Sequence, residues 1–297
     1  MNTGIKTISR ISATLVTAGS VIATGVFVAP AAQAAAPKAP SIVAKGGFLM
    51  DAASGRTYFG KYADTRLSTG STTKIMTARV VLGAKGLNLD TKVTIDKAYS
   101  DYIVSRGASS ARLIVGDKVS VRQLLYGLML PSGCDAAYAL ADKFGAGSTR
   151  AARVKSFIGK MNATAQSLGM KNTRFDSFDG ISNGANYSTP RDLSKLAVNT
   201  LKNSHFRAIV KTKSTTQRVT TRNGGYRNMA WTNTNKLLGT YSGAIGVKTG
   251  SGKQAKYCLV FAATRGKRTV VGAVLASTNE VNRTADAKKI MDYGFKL

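Results

Sequence analysis

A serine and a lysine three residues apart, Ser71 and Lys74, form the first group of side chains in this sequence that could do chemistry. On a helix this spacing puts both side chains on one face, so the lysine amine can reach the serine hydroxyl. A serine hydroxyl is a weak nucleophile until a base removes its proton, and a neutral lysine can act as that base. The pair alone is a weak indication, because such spacings also arise by chance.

Two further motifs supply polar side chains that could act with this pair. Ser132 lies in a predicted turn between two helices, and a predicted strand carries Lys248, Thr249, Gly250 and Ser251. A lysine and a threonine beside a strand can bind a substrate carboxylate, while a glycine lets a ligand approach the backbone. A second positive charge close to Lys74 would also favour the neutral amine that a base requires.

The three motifs, in this order, resemble those of the low-molecular-mass penicillin-binding proteins, which are serine D-alanyl-D-alanine carboxypeptidases and transpeptidases. The resemblance runs from about residue 46 to the C-terminus and includes segments outside the motifs, among them 63–66, 125–133 and 187–189. It implies that the substrate is a peptidoglycan stem peptide ending in D-Ala–D-Ala. It also implies that β-lactams are covalent inhibitors and that no metal or organic cofactor takes part.

The resemblance assigns a role to each matching residue. Ser71 would be the nucleophile that forms an acyl-enzyme, Lys74 would be its base, and Ser132 would relay a proton to the leaving amine. The expected substrate-binding residues are Cys134, Lys248, Thr249, Gly250 and Ser251. Among them, the lysine and the threonine would hold the terminal carboxylate of the substrate, and the backbone N–H groups of Ser71 and Ser251 would form the oxyanion hole.

One position departs from the family pattern. Where the family usually has an asparagine third in the serine motif, this sequence has Cys134, whose thiol is a weak donor and a weak acceptor. A smaller subgroup with the same Ser-Gly-Cys motif acts as transpeptidases, which favours acyl transfer over hydrolysis. Three states of Cys134 stay open: a packed thiol, a disulfide with Cys258, and a free, partly exposed thiol whose thiolate the nearby lysines would favour.

Other functions compete with this interpretation. A carboxypeptidase in which hydrolysis dominates would use the same residues. A class A β-lactamase hydrolyses its acyl-enzyme with a glutamate between the second and third motifs, but the single glutamate here, Glu280, follows the third. We therefore expect penicillin to form a long-lived adduct on Ser71. A non-catalytic, basic wall-binding protein would need neither the nucleophile nor the base, so the intact Ser71 and Lys74 argue against it.

The composition excludes several classes of protein. The 297 residues include 43 basic and 14 acidic side chains, a net charge of +29, and 43% hydrophobic residues, which exclude a disordered polyampholyte. One histidine and two cysteines are too few for a zinc site or a disulfide scaffold. The charge makes anionic cell-envelope polymers candidate partners, although the scattered basic residues also fit a solvated surface. Nucleic acid is not expected as a partner, because the N-terminal pattern of residues 1–34 predicts export, and an exported chain rarely meets nucleic acid.

The first 34 residues have the pattern of a secretory signal peptide. Lys6 and Arg10 precede an uncharged stretch at 11–29, and Ala-Gln-Ala at 32–34 is a small-residue cleavage site. An uncleaved membrane anchor is the alternative, because the uncharged stretch is nearly long enough to span a bilayer. We therefore expect an exported protein that is secreted or associated with the outer face of the membrane or with the cell wall.

Strands at both ends of the chain, with helices between them, predict an α/β fold. The clearest predicted helices are 121–130, 136–144 and 150–168, and the clearest strands are 257–264 and 269–278. The resemblance implies an antiparallel five-stranded sheet flanked by helices, with an inserted all-helical domain. The sheet domain would comprise 35–86 and 211–297, the insertion would comprise 87–210, and no separate C-terminal domain would follow.

Overall fold

Two antiparallel sheets form the frame of the chain in a computed structural model, which describes residues 37–182 and 184–297. Their strands are β1 (Gly46–Asp51), β2 (Thr57–Lys61), β3 (Lys92–Thr94), β4 (Lys118–Ser120), β5 (Ser214–Thr220), β6 (Tyr226–Thr232), β7 (Ala244–Gly252), β8 (Lys256–Arg265) and β9 (Arg268–Ser277). The larger sheet has the order β2-β1-β9-β8-β7, and the smaller has the order β3-β4-β5-β6. Because β1 pairs with β9, strands from both ends of the described chain build one sheet, as the sequence predicts.

Helices cover both faces of the larger sheet. In chain order they are a 3₁₀ turn (Gly70–Thr73), α1 (Lys74–Leu82), α2 (Lys97–Arg106), α3 (Val121–Met129), α4 (Cys134–Phe144), α5 (Arg150–Ser167), α6 (Pro190–Thr200), α7 (Ser204–Lys211) and α8 (Glu280–Lys296). The terminal helix α8 packs against β8 and β9, and α6 packs against β1 and β9. The expected fold class, an antiparallel five-stranded sheet flanked by helices, is confirmed.

The central strands are buried on both faces. In β8, Leu259 and Phe261 belong to the hydrophobic cluster that contains α8, whereas Val260 and Ala262 belong to the cluster that contains α1, α3 and α4. Alternate side chains of a strand point to opposite faces, so a strand covered on both sides becomes a continuous apolar run. For this reason the strands predicted at 257–264 and 269–278 agree with the structure to within one residue at each end.

The four-stranded sheet is an addition that the sequence did not predict. β3 and β4 have three residues each and lie in the segment expected to be helical, while β5 and β6 form a hairpin. Val93 pairs with Val119, and Lys118 pairs with Thr220, which joins the short strands to the hairpin. Strands of three residues carry too short a pattern to be recognised in a sequence, and their pairing is non-local.

The predicted signal peptide, residues 1–34, lies outside the described residues. Among the residues that the structure does describe, no helix is both long enough and apolar enough to cross a membrane.

Candidate active site

The predicted nucleophile and base are in contact at the start of α1. Ser71 lies in the 3₁₀ turn, Lys74 is the first residue of the helix, and Lys74 Nζ lies 2.8 Å from Ser71 Oγ. The turn begins at Gly70, whose φ of +49° is in the left-handed region. A Cβ there would lie 2.9 Å from the backbone oxygen of Ser251, so the glycine lets β7 approach the nucleophile closely.

Lys74 is held by contacts from three parts of the chain. Its side chain is fully buried, and Nζ also lies 3.1 Å from the backbone oxygen of Asp179 and 3.2 Å from Cys134 Sγ. Within the part of the chain that the structure describes, the hydrogen-bond partners of Nζ include no carboxylate oxygen. The amine is therefore fixed beside the hydroxyl without a neutralising acid in contact.

Ser132 has a strained backbone and a hydroxyl without a hydrogen-bond partner among the described residues. It lies in the turn between α3 and α4 with a φ of +67°, in the left-handed region that a non-glycine residue rarely adopts. Its side chain is buried, and Oγ has no hydrogen-bond partner among the described residues. A buried unpaired hydroxyl costs about 1–3 kcal/mol, and backbone strain concentrates at functional sites. Both features fit a hydroxyl whose partner is a substrate atom.

Lys248 carries a buried amine on β7. It is 1% exposed, and Nζ lies 3.1 Å from the backbone oxygen of Thr249 and 3.4 Å from the Thr249 hydroxyl. Burial, with the positive charges of Lys74 and Arg283 nearby, lowers the pKa of the Lys248 amine well below its ordinary value. The positive charge of Lys74 therefore acts against protonation of Lys248. Thr249 Oγ1 lies 2.6 Å from Thr234 Oγ1.

A cleft of about 770 Å³ collects side chains from all three motifs. The motif residues on its wall are Ser71, Ser132, Cys134, Thr249, Gly250 and Ser251. Lys74 and Lys248 are buried beside this wall, since Lys74 contacts Ser71 and Lys248 precedes Thr249 in β7. The predicted site residues, which span positions 71 to 251, are therefore brought to one place by the fold.

Cys134 does not match the expectation of a partly exposed, reactive thiol. It begins α4, is 1% exposed and is not bonded to Cys258, which is also free and buried. Burial raises the pKa of the Cys134 thiol, although the positive charge of Lys74 acts in the opposite direction. The disulfide and the exposed thiol are therefore wrong, because both cysteines are free and buried. The favoured thiolate is wrong because desolvation outweighs the neighbouring charge. The packed thiol is the state that the structure contains.

Iodoacetamide at pH 8 should alkylate Cys134 at least about tenfold more slowly in the folded protein than in guanidinium, because burial hinders access and disfavours the thiolate. Cys258 is the matched control, since burial raises its pKa to about 11. Mass spectrometry of the digested protein measures both rates. Alkylation of Cys134 at the unfolded rate, with Cys258 still protected, would contradict the buried thiol.

Arg283 and Glu280 also line the cleft, and no motif in the sequence pointed to them. Arg283 is 4% exposed and donates from Nη2 to Glu280 Oε1 at 2.9 Å, while its Nε has no hydrogen-bond partner among the described residues. One signal was available: Arg283 shares a face of α8 with the buried residues Ala287 and Ile290. An arginine on such a face is rarely buried without a reason.

The chain matches known proteins along most of its length. Residues 33–279 match the family model of D-alanyl-D-alanine carboxypeptidases, peptidase family S11. The chain is 64% identical to the D-alanyl-D-alanine carboxypeptidase of Streptomyces sp. strain K15, over 97% of this chain and 99% of that protein. It is 32% identical to the D-alanyl-D-alanine carboxypeptidase DacF of Bacillus subtilis, over 85% of this chain and 62% of that protein.

Solved structures share the same architecture. The crystal structure of the Streptomyces K15 DD-transpeptidase superimposes with a TM-score of 0.87 at 68% identity, over 88% of this chain and all of that chain. A D-alanyl-D-alanine carboxypeptidase from Mycobacterium tuberculosis superimposes with a TM-score of 0.77 at 30% identity, over 89% of this chain and 95% of that one. The similarity therefore includes both the sheet and the helices that build the cleft.

Proposed function

The chain belongs to the D-alanyl-D-alanine carboxypeptidase family S11 and is a serine-type D-Ala–D-Ala peptidase, and from this premise we propose how its site works. The substrate is a peptidoglycan stem peptide ending in D-Ala–D-Ala, and Ser71 carries the acyl group. One observation carries the proposal: Lys74 Nζ lies 2.8 Å from Ser71 Oγ. Ser71 and Ser132 line the same cleft. A nucleophile within hydrogen-bond reach of its base is the arrangement that acyl transfer requires.

Acylation begins at the Ser71–Lys74 pair. Lys74 Nζ takes the hydroxyl proton as Ser71 Oγ attacks the carbonyl carbon of the D-Ala–D-Ala bond. An ester forms on Ser71, the C–N bond breaks, and D-alanine leaves with a proton delivered through Ser132 Oγ. The unpaired Ser132 hydroxyl supports this relay, because the described residues offer it no competing partner.

The backbone N–H groups of Ser71 and Ser251 stabilise the oxyanion in this proposal. They belong to the nucleophile turn and to β7, which meet at Gly70, where a Cβ would lie 3.1 Å from the Ser251 nitrogen. Donors held in place before the reaction stabilise charge as it develops on the carbonyl oxygen. The close approach of the two elements supports the assignment.

The terminal carboxylate of the substrate binds where cations and hydroxyls converge. Lys248 and Thr249 supply an amine and a hydroxyl from β7, and Arg283 supplies a guanidinium whose Nε lacks a partner among the described residues. A carboxylate satisfies such donors and favours the protonated form of a nearby amine. A bound substrate carboxylate therefore opposes the burial that lowers the pKa of the Lys248 amine.

We propose that transfer to an amine dominates over hydrolysis. The K15 structure at 68% identity is that of a DD-transpeptidase, and Cys134 stands where the family usually has an asparagine. No glutamate lies between the second and third motifs, and Glu280 is paired with Arg283. Hydrolysis as the dominant reaction is the second candidate, because the relative at 64% identity is named a carboxypeptidase.

The place of action is also a proposal. The signal-peptide pattern of residues 1–34 and a peptidoglycan substrate both support export to the outer side of the cytoplasmic membrane. Anionic polymers of the cell envelope are proposed partners on the basis of the +29 net charge.

Product analysis with a D-Ala–D-Ala peptide tests the proposed reaction. We expect release of D-alanine and, when an acceptor amine is added, more transfer product than hydrolysis product. Labelled penicillin should form an adduct on Ser71 that outlasts the assay, because the glutamate base of the class A β-lactamases is missing between the motifs. Rapid turnover of penicillin would indicate a β-lactamase, and neither label nor D-alanine release would indicate a non-catalytic wall-binding protein.

A further inference from the structure

Two tyrosines of α2 donate hydrogen bonds to two buried aspartates. Tyr99 Oη lies 2.8 Å from Asp142 Oδ2, and Tyr102 Oη lies 2.9 Å from Asp179 Oδ2. Both rings pack against Tyr138. Burial is the main cause that raises the pKa of both phenols, and the adjacent aspartate is the second. Both hydroxyls therefore keep their protons and act as donors. Both pairs join a phenol to a buried carboxylate, but Asp142 also forms ion pairs with Arg150 and Arg153. Only the Tyr102–Asp179 pair reaches the active site.

Asp179 connects Tyr102 to the proposed base. The side chain of Asp179 is fully buried, and its Oδ1 accepts a hydrogen bond from the Ile181 N–H at 2.9 Å. The backbone oxygen of the same residue lies 3.1 Å from Lys74 Nζ. Asp179 therefore contacts Tyr102 through its carboxylate and Lys74 through its carbonyl. A shift of the carboxylate also shifts the carbonyl that faces the amine.

The segment around Asp179 packs tightly against the nucleophile turn. Thr77 Oγ1 on α1 donates a hydrogen bond to the backbone oxygen of Phe178. Gly180 has a φ of +96°, and a Cβ there would lie 2.0 Å from the backbone oxygen of Gly70. Because the backbone at Gly180 lies in direct contact with the backbone at Gly70, movement of this segment on that side is transmitted to the nucleophile turn.

We propose that Tyr102 and Asp179 are positioning residues for Lys74. The hydroxyl–carboxylate hydrogen bond holds the Asp179 carbonyl against Nζ and keeps the amine directed at Ser71 Oγ. This inference rests on the proposed function of the Ser71–Lys74 pair. Catalytic groups must be held to within about 0.5 Å by neighbours that are themselves fixed, and a misplacement of about 1 Å can cost about 100-fold in rate.

The loss of the Tyr102 hydroxyl has a defined physical consequence. In a Tyr102→Phe variant the ring stays in its aromatic cluster, and Asp179 keeps the Ile181 N–H as a donor. Among the described residues, Asp179 Oδ2 then has no hydrogen-bond donor. A buried carboxylate with an unpaired oxygen must move or draw in water, and either change releases the carbonyl that contacts Lys74.

Tyr99→Phe is the comparison variant for Tyr102→Phe, because each removes one hydroxyl from the same helix and from a bond to a buried aspartate. Asp142 keeps its ion pairs with Arg150 and Arg153 in Tyr99→Phe. Labelled penicillin at several concentrations separates the acylation rate constant from the dissociation constant, and thermal unfolding gives Tm. We expect Tyr102→Phe to lower the acylation rate constant by about tenfold or more at an unchanged dissociation constant. Tyr99→Phe should leave that rate constant within about twofold of wild type, because Asp142 has no contact with Lys74 among the hydrogen bonds of the described residues.

The outcomes separate positioning from general destabilisation. A Tyr102→Phe rate constant equal to wild type, or losses in both variants that follow Tm, would overturn the inference. Asp179→Asn is a second variant that keeps the size of the side chain, and it should slow acylation at least as much as Tyr102→Phe. Wild-type protein that takes no label at Ser71 would refute the proposed function together with the inference, whereas labelled wild type with unaffected variants refutes the inference alone.

Discussion

Replacing Lys74 with methionine is expected to slow acylation of Ser71 by about 10²–10⁴-fold, the contribution of a positioned general base. Methionine keeps an unbranched apolar side chain in the fully buried site but removes the amine that lies 2.8 Å from Ser71 Oγ. Time courses with labelled penicillin measure the rate. Ser71→Ala sets the zero level, because no ester can form without the serine oxygen.

A surface variant controls for the loss of a lysine as such. Lys97 on α2 is exposed and pairs with Asp101, so Lys97→Met should label at the wild-type rate. Near-ultraviolet circular dichroism shows whether the Lys74→Met protein is folded. A folded Lys74→Met protein that labels at the wild-type rate would mean that another group removes the Ser71 proton.

Replacing Lys248 with methionine is expected to weaken catalysis and to stabilise the fold. The substrate carboxylate loses a buried cation, so kcat/KM for D-Ala–D-Ala peptides should fall by about 100-fold. In the described part of the chain, the hydrogen-bond acceptors of Nζ are two oxygens of Thr249, and none is a carboxylate. An apolar side chain in place of the buried amine should therefore stabilise the protein by about 1–2 kcal/mol, which raises Tm by about 2–8 °C. Peptide kinetics and thermal unfolding measure the two effects.

The stabilisation by Lys248→Met should decrease as the pH rises. Burial lowers the pKa of Lys248 in the folded protein below its ordinary 10.5. At pH values between the lowered pKa and 10.5, Lys248 is therefore protonated in the unfolded chain and neutral in the folded chain. Wild-type stability therefore rises with pH across this window, and the advantage of the variant shrinks as pH approaches 10.5. Chemical unfolding at several pH values tests the sign. An advantage that grows with pH would show that the fold favours the charged amine.

The features that the sequence predicted depend on neighbours along the chain or on short motifs. Ser71 and Lys74 face the same way because three residues make nearly one helical turn. The strands β8 and β9 were predictable because burial on both faces leaves a continuous apolar run. The order of the three motifs indicated the family and, with it, the five-stranded sheet, and the matching family model and structures agree.

Features that depend on how distant segments pack were decided only by the tertiary structure. The sequence placed Cys134 beside two lysines but could not weigh their charge against desolvation, and desolvation prevails. Arg283 reaches the cleft because α8 packs on the sheet, and Asp179 reaches Lys74 because its loop packs on α1. Burial and contacts depend on atoms from many parts of the chain. Residue type and spacing therefore determine which chemistry a side chain can perform, and folding determines the surroundings in which the side chain acts.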